Sequence, residues 1–166
     1  LEPGIKLRNV KEVVATNKLL AEKVDEQLGL GRIPLVLGGD HSIALGTVAG
    51  VAKHYDNLGL IWYDAHGDIN TEETTPSGNI HGMPLAANLG LGNEKLTSIL
   101  FAGPKVKPEN VVLIGIRDLD TPEKQLIRDL GIKIYTMHEI DRLGMPRVME
   151  ETIHYLKNKT NGVHLS

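Results

Sequence analysis

The sequence contains no cysteine among its 166 residues. This absence excludes a disulfide scaffold, a thiolate-ligated zinc site and a cysteine nucleophile. No apolar run approaches the roughly 18 residues of a membrane span, and no signal-peptide pattern opens the chain. Lysine and arginine form no block and the net charge is only −3, which argues against nucleic acid or an anionic membrane as the main partner. The sequence therefore predicts a soluble, cytoplasmic protein with neither of those partners.

The apolar content of 41% over 166 residues suffices for one domain with its own core. Helical periodicity and short, continuous apolar runs alternate along the chain. Helices are predicted over residues 8–28, 42–55, 83–89, 122–130 and 144–157, and strands over 33–37, 58–63, 111–116, 132–135 and from 163 onward. Continuous apolar strands separated by helices predict an α/β protein with a parallel sheet covered on both faces.

Acids and histidines follow the predicted strands, where open α/β sheets bind their ligands. Asp64, His66 and Asp68 leave the strand over 58–63 at every second position, so an extended chain points them to one side. His41 follows the strand over 33–37 and adds a second imidazole. Oxygen and imidazole donors without sulfur suit Mn²⁺, Fe²⁺, Co²⁺ or Mg²⁺ better than a structural zinc. In the alternative interpretation, these acids cap turns and His66 is an ordinary loop histidine.

Two further groups have a functional and a structural interpretation. His81 lies in a polar loop over 75–82, and histidine is a side-chain type suited to moving protons. Turn chemistry explains the same loop and is favoured on spacing alone. Asp120 and Glu123 flank Thr121-Pro122 at a helix start, where acids compensate the helix dipole. Ser42 is predicted to cap the helix that follows it.

Three motifs together resemble those of a known family. They are GGDHS at 38–42, DAHGDINT at 64–71 and SGNIHG at 77–82. In this order and spacing they resemble the arginases of the ureohydrolase superfamily, in their bacterial type. The third motif distinguishes arginase from agmatinase and formiminoglutamase, and the resemblance runs through nearly all of the chain.

The resemblance implies a three-layer α/β/α fold with a mainly parallel sheet, and a site with two manganese ions. The implied metal ligands are His41, Asp64, His66 and Asp68. Asp64 would bridge both ions, and Asp68 would share an ion with His41. His81, as proton shuttle, and Asp68 are the implied catalytic residues.

The resemblance also implies how L-arginine is bound and hydrolysed. Asn70 and Ser77 would hold the α-carboxylate, and Asp120 and Glu123 would serve the α-amino end. A metal-bridging hydroxide would attack the guanidinium carbon, which yields L-ornithine and urea. The alternatives are agmatinase or another ureohydrolase and, in a different class, a non-catalytic metal-binding or assembly fragment.

Residues 1–166 are predicted to form one arginase-like domain that is the central part of an arginase, incomplete at both ends. Arginases carry a second Asp-x-Asp metal motif after a strand resembling residues 162–166, where this chain stops. We therefore expect weak manganese binding and little or no activity from the chain by itself. The family resemblance further implies a homo-oligomer, a trimer or hexamer, for the full-length form.

Overall fold

The computed structural model describes residues 7–166. Its helices are α1 Val10–Gly29, α2 Ala44–Ala52, α3 Pro84–Asn88, α4 Glu94–Thr97, α5 Thr121–Asp129, α6 Met137–Leu143 and α7 Met145–Lys157. Its strands are β1 Leu58–Tyr63, β2 Val111–Ile116, β3 Lys133–Thr136 and β4 Gly162–Leu165. Short 3₁₀ helices occur at His41–Ile43, Ile80–Gly82 and Pro108–Asn110.

The chain folds into two compact units, each built from separate stretches of sequence. The helical unit comprises the chain up to His54 together with residues 68–105, and the sheet unit comprises residues 55–67 together with 106–166. The prediction of a single domain over 1–166 stays a prediction.

The helical unit is organised by the close crossing of α1 and α2. From Ala44 to Val51, α2 is buried throughout, because its sequence consists of apolar and small residues. A Cβ at Gly46 would lie 2.6 Å from the Asn17 carbonyl oxygen on α1, so only glycine permits this approach. The Asn17 side chain accepts a hydrogen bond from the Gly46 N–H at 2.8 Å. The core of this unit contains Leu7, Val10, Ala21, Leu45, Ala49, Ile80, Met83, Ala87, Leu96 and Ile99.

The sheet unit contains a four-stranded parallel sheet in the order β3-β2-β1-β4. Every residue of β2 is buried, as its continuous apolar sequence predicts. Residues of α6 and α7 pack on the sheet, and the resulting core contains Ile61, Val112, Ile114, Tyr135, Ile140, Val148 and Leu156. The predicted α/β class with a parallel sheet is confirmed.

Most predicted elements occur within a residue or two of their expected bounds, but the strand over 33–37 was wrong. Residues 33–37 carry no strand, and Ile33, Leu35 and Leu37 are 96%, 84% and 84% exposed. A strand exists only where a neighbouring backbone completes its hydrogen bonds. Within the described residues, no strand pairs with this segment, so its apolar pattern alone does not make it part of the sheet.

Two smaller predictions were also wrong. Ser42 does not cap α2, whose N-cap residue is Ile43. Asp40 caps the preceding 3₁₀ helix, and its side chain accepts from the Ser42 N–H. The continuous apolar run over 58–63 predicts that Trp62 and Tyr63 both lie in the core, yet Tyr63 is 53% exposed while Trp62 is fully buried. Because β1 ends at Tyr63, its last side chain lies beyond the covered part of the sheet.

Among the described residues, no helix has both the length and the apolar composition required to cross a membrane.

Candidate functional site

In the helical unit, a tight turn positions His41 beside Asp68. Gly38 and Gly39 have φ values of +140° and +51°, conformations that glycine adopts without strain. The turn leads to His41 at the start of the 3₁₀ helix His41–Ile43. Here the His41 Nδ1 lies 2.8 Å from the Asp68 Oδ2. An imidazole and a carboxylate predicted as ligands of one ion are therefore adjacent within this unit.

Asp68 is held in an unusual position for an acidic residue. Its side chain is almost fully buried, and its φ of +49° lies in the left-handed region. The Asp68 carbonyl accepts from the Leu85 N–H at 2.9 Å, which anchors the residue to the start of α3. A buried carboxylate needs a charged or hydrogen-bonding partner, so the neighbouring imidazole or a cation suits this position.

The polar loop over 75–82 carries Ser77 and His81, and it is folded by its own side chains. The Thr75 hydroxyl accepts from the Gly78 N–H at 3.0 Å, and the Ser77 hydroxyl accepts from the Asn79 N–H at 3.1 Å. His81 lies in the 3₁₀ helix Ile80–Gly82 and is exposed. The loop therefore presents its imidazole at the surface of the helical unit.

Asp40 faces this imidazole. The Asp40 Oδ2 lies 3.8 Å from the His81 Nδ1, while Oδ1 accepts from the Ser42 hydroxyl at 2.5 Å and from the Ser42 N–H at 3.0 Å. The hydrogen bond from the Ser42 hydroxyl holds the pKa of the Asp40 carboxyl below its usual value. Asp40 thus remains ionised beside His81, a relationship that the sequence analysis did not assign.

Asn70 is buried close in sequence to Asp68. Its N–H donates to the Gly82 carbonyl at 3.1 Å, and its side-chain oxygen accepts from the Thr74 hydroxyl at 2.8 Å. Asn70 is therefore fixed to both ends of the segment that contains the polar loop. Its predicted role in binding the α-carboxylate stays a prediction.

In the sheet unit, Asp64 and His66 form a second imidazole–carboxylate pair after β1. The Asp64 Oδ1 accepts from the His66 N–H at 3.1 Å and lies 3.3 Å from the His66 Nδ1. The Asp64 N–H donates to the Ile114 carbonyl at 3.1 Å, which fixes this residue at the end of β1.

Asp118 is a neighbour of His66 that the sequence analysis did not select. Its Oδ2 lies 3.8 Å from the His66 Nε2, and its N–H donates to the Ala65 carbonyl at 3.0 Å. Asp118 lies two residues after the end of β2, and such a position at the end of a strand is the sequence feature that could have indicated it, as it did for Asp64.

The structure places Asp120 and Glu123 in a capping box at the start of α5. The Glu123 Oε2 accepts from the Asp120 N–H at 2.9 Å, and the Asp120 side chain accepts in return from the backbone of the third helical residue. This geometry supports the structural interpretation of the pair. Their role at the α-amino end of a substrate remains a prediction.

The donor set fits a hard divalent ion. Each unit brings together one imidazole and one carboxylate, His41 with Asp68 and His66 with Asp64. Cysteine is absent, and oxygen with imidazole nitrogen suits Mn²⁺ and similar ions. The chemistry of the residues is therefore compatible with the ions that the resemblance implies.

Comparison with known proteins identifies the relatives of the chain. Residues 5–166 match the family model described as the arginase family. The chain is 69% identical over 161 residues to an arginase of Bacillus caldovelox, covering 97% of this chain and 54% of that protein. It is 62% identical over 160 residues to an arginase of Bacillus subtilis strain 168, covering 96% and 54%.

Solved structures agree with this assignment. The crystal structure of arginase from Bacillus cereus matches with a TM-score of 0.95 and 65% identity, over 99% of this chain and 56% of that one. This match confirms the predicted arginase-like α/β/α fold class. The chain spans about half the length of the curated relatives it matches. The matched family model and the identity to these relatives show that the chain belongs to the arginase family.

Proposed function

We propose that the protein to which this chain belongs hydrolyses L-arginine to L-ornithine and urea, with manganese as its metal. The observation that carries the proposal is the pairing of His41 with Asp68 at 2.8 Å in a member of the arginase family. The loop sequence SGNIHG at 77–82 supports arginase over its superfamily relatives. A cytoplasmic location and a homo-oligomeric full-length form, as trimer or hexamer, belong to the same proposal.

Four residues would hold the metal ions. His41 and Asp68 offer one imidazole–carboxylate pair and His66 and Asp64 offer another. When bound, divalent ions of this kind acidify water, so that a hydroxide nucleophile is available near neutral pH. The order of the three motifs along the chain supports this assignment through the family resemblance.

The polar loop would bind the amino-acid end of the substrate. The Ser77 hydroxyl and the Asn70 amide are suited to hydrogen-bond an α-carboxylate, and Asp120 and Glu123 to attract an α-ammonium group. Specificity built on buried hydrogen bonds rejects analogues that lack a partner group much more strongly than a volume-based pocket does. Agmatine, which lacks the α-carboxylate, is then a poor substrate.

His81 would supply the proton that the reaction needs. The guanidinium group is protonated at neutral pH, and addition of water to its carbon gives a tetrahedral adduct. Cleavage of the bond between this carbon and the ornithine nitrogen requires that nitrogen to gain a proton. An imidazole near neutral pH performs this transfer, and the exposed position of His81 on the loop supports the role.

The proposal is tested with Mn²⁺, L-arginine and agmatine. Because the chain spans about half the length of its relatives, binding of Mn²⁺ and of L-arginine by calorimetry is measured alongside urea release. We expect weak Mn²⁺ binding, little or no urea release from the chain by itself, and tighter binding of L-arginine than of agmatine. Equal binding of both compounds would contradict the roles of Asn70 and Ser77 and favour the agmatinase alternative. Absence of metal binding would favour a non-catalytic fragment.

A further inference from the structure

Arg8 makes two hydrogen bonds to consecutive carbonyl groups of the polar loop. Its backbone N–H donates to the Gly78 carbonyl at 2.9 Å, and its side-chain Nε donates to the Ser77 carbonyl at 3.1 Å. One residue therefore binds the loop at the two positions directly before Asn79, three and four residues before His81. The second bond carries the positive charge of a guanidinium, which strengthens a hydrogen bond to a carbonyl.

The rest of the loop is stabilised mainly by short-range bonds. Gly78 and Asn79 donate to hydroxyls two or three residues back, and the Gly82 N–H donates to the Asn79 carbonyl at 3.3 Å. Bonds of this range define the shape of a turn but do not attach it to the body of the protein. Ile80, which is buried in the core of the helical unit, and the bond from the Asn70 N–H to the Gly82 carbonyl attach the end of the loop. The Arg8 contacts come from a different part of the chain and attach its centre at Ser77 and Gly78.

Buried residues fix the backbone on both sides of Arg8. Leu7 before it is buried in the core of the helical unit, and Val10, two residues after it, is the first residue of α1 and also buried. Asn9 between them has a φ of +52°, a conformation for which asparagine has an elevated preference. The backbone that carries Arg8 is thus fixed on both sides, so the hydrogen bonds of Arg8 fix the position of the loop relative to α1.

Arg8 also forms part of the wall beside His81. A cavity of about 80 Å³ is lined by Arg8 together with Asp40, Asn79 and His81, among others. This cavity places the guanidinium-bearing side chain and the Asp40 carboxylate around the loop imidazole. Removal of the Arg8 side chain would therefore enlarge this cavity, which His81 also lines. It would also leave the Ser77 carbonyl without its hydrogen bond from Arg8.

We propose that Arg8 is a positioning residue that holds the loop over 75–82 in the geometry required to bind the substrate carboxylate and to present His81. The inference rests on the proposed function for the roles of Ser77 and His81. The attachment of the loop by Arg8 does not depend on the proposed function, and it is measured without any assay of arginine hydrolysis.

The test compares wild type with Arg8→Met, Arg8→Lys and a control, Arg32→Met. Methionine retains the aliphatic part of the side chain and the backbone N–H but removes the donor, and lysine restores a charged donor. Arg32 is an exposed arginine of the same unit whose side chain donates to Gln27 at 2.9 Å. Amide hydrogen exchange over 77–83, exchange in α1 and α2, and affinities of the manganese-loaded chain for L-arginine and agmatine are measured.

We expect Arg8→Met to accelerate exchange in the loop about five- to tenfold, the effect of losing one hydrogen bond, with α1 and α2 unchanged. We expect it to weaken L-arginine binding about fivefold and agmatine binding little, because only L-arginine has the carboxylate that Ser77 would hold. Arg8→Lys should recover part of both effects, and Arg32→Met should behave as wild type.

Loop exchange in Arg8→Met that equals wild type would overturn the inference while leaving the proposed function intact. If Arg8→Met unfolds the helical unit, the shorter, uncharged Arg8→Gln replaces it, and wild-type loop exchange together with wild-type L-arginine affinity in that variant overturns the inference. The proposed function fails if the full-length wild-type protein does not bind L-arginine, since this chain by itself spans about half the length of its relatives. A loop that then loosens only in the Arg8 variants still supports the attachment by Arg8.

Discussion

The His41 imidazole lies 2.8 Å from the Asp68 carboxylate, between the Nδ1 and Oδ2 atoms. Asp68 is 5% exposed and has a φ of +49°. A buried acid in a left-handed conformation costs stability, and such costs are typical of functional positions. The geometry of the pair therefore supports the proposed role of both side chains as ligands of one cation.

The first prediction concerns the charge of Asp68. Asp68→Asn preserves the shape of the side chain, and asparagine tolerates the left-handed conformation. We expect Mn²⁺ affinity to fall at least about tenfold, because even indirect partners of a metal site change affinity by that factor, while the melting temperature does not fall. Titration calorimetry with Mn²⁺ measures the affinity. The exposed Asp56→Asn serves as the control, and an Mn²⁺ affinity of Asp68→Asn equal to wild type argues against Asp68 as a ligand.

The second prediction concerns the packing of α1 on α2. A Cβ at Gly46 would approach the Asn17 carbonyl oxygen to 2.6 Å, whereas a Cβ at Gly29 would meet only the His54 ring at 4.0 Å. We expect Gly46→Ala to lower the free energy of unfolding by about 1–3 kcal/mol, as overpacking does, although alanine favours helix. Gly29→Ala, the matched change at the end of α1, should be neutral or stabilising. Urea unfolding of both variants provides the comparison. Equal free energies of unfolding for Gly46→Ala and Gly29→Ala would show that α1 and α2 can move apart with little loss of stability.

Periodicity and turn chemistry predicted much of this fold. The strands β1 and β2 begin and end where their apolar runs do. The sequence Thr136-x-x-Glu139 is typical of a capping box, and it forms one at the start of α6. These features depend on local sequence, which a single chain records. The proposed ligands His41 and Asp68 belong to two sequence motifs, and the structure brings them together at 2.8 Å.

The features that the sequence does not predict depend on contacts between residues that are distant along the chain. The apolar pattern over 33–37 contains no information on whether a neighbouring strand exists, and the segment is exposed. Arg8 was not selected because its donors act on Ser77 and Gly78, which are far along the chain. Asp40 was quoted only as part of a motif, since its contact with His81 arises from folding.

The third prediction concerns pH and Lys105. This ammonium is buried and donates to the carbonyls of Thr97, Phe101 and Gly103 at 2.8, 2.5 and 2.8 Å. Burial lowers the pKa of Lys105 from 10.5 to about 8. Between these values the unfolded chain binds more protons than the folded one, so the free energy of unfolding should rise with pH.

The comparison with Lys105→Met isolates this effect. The free energy of unfolding of wild type minus that of Lys105→Met should increase from pH 8 to pH 10.5, by at most about 3 kcal/mol. Denaturant unfolding at several pH values measures the difference. The exposed neighbour Lys107→Met should retain the wild-type profile. A difference that is independent of pH, or that decreases across this range, contradicts the prediction.

The fourth prediction separates the two interpretations of Glu123. Its carboxylate completes the capping box of α5 by accepting from the Asp120 N–H at 2.9 Å. Glutamine also completes a capping box, so Glu123→Gln removes the charge and preserves the cap. If Glu123 serves the α-ammonium group of the substrate, L-arginine affinity should fall about tenfold, as expected for a lost charged hydrogen bond, with the melting temperature nearly unchanged.

The second capping box of the chain provides a matched control. Glu139 accepts from the Thr136 N–H at 2.7 Å in the same arrangement, and no substrate role is proposed for it. Glu139→Gln should therefore leave L-arginine affinity unchanged in the same calorimetric titration. If both variants bind L-arginine as wild type does, Glu123 is a helix cap alone. If both lose affinity equally, the effect comes from helix capping and not from a contact with the substrate.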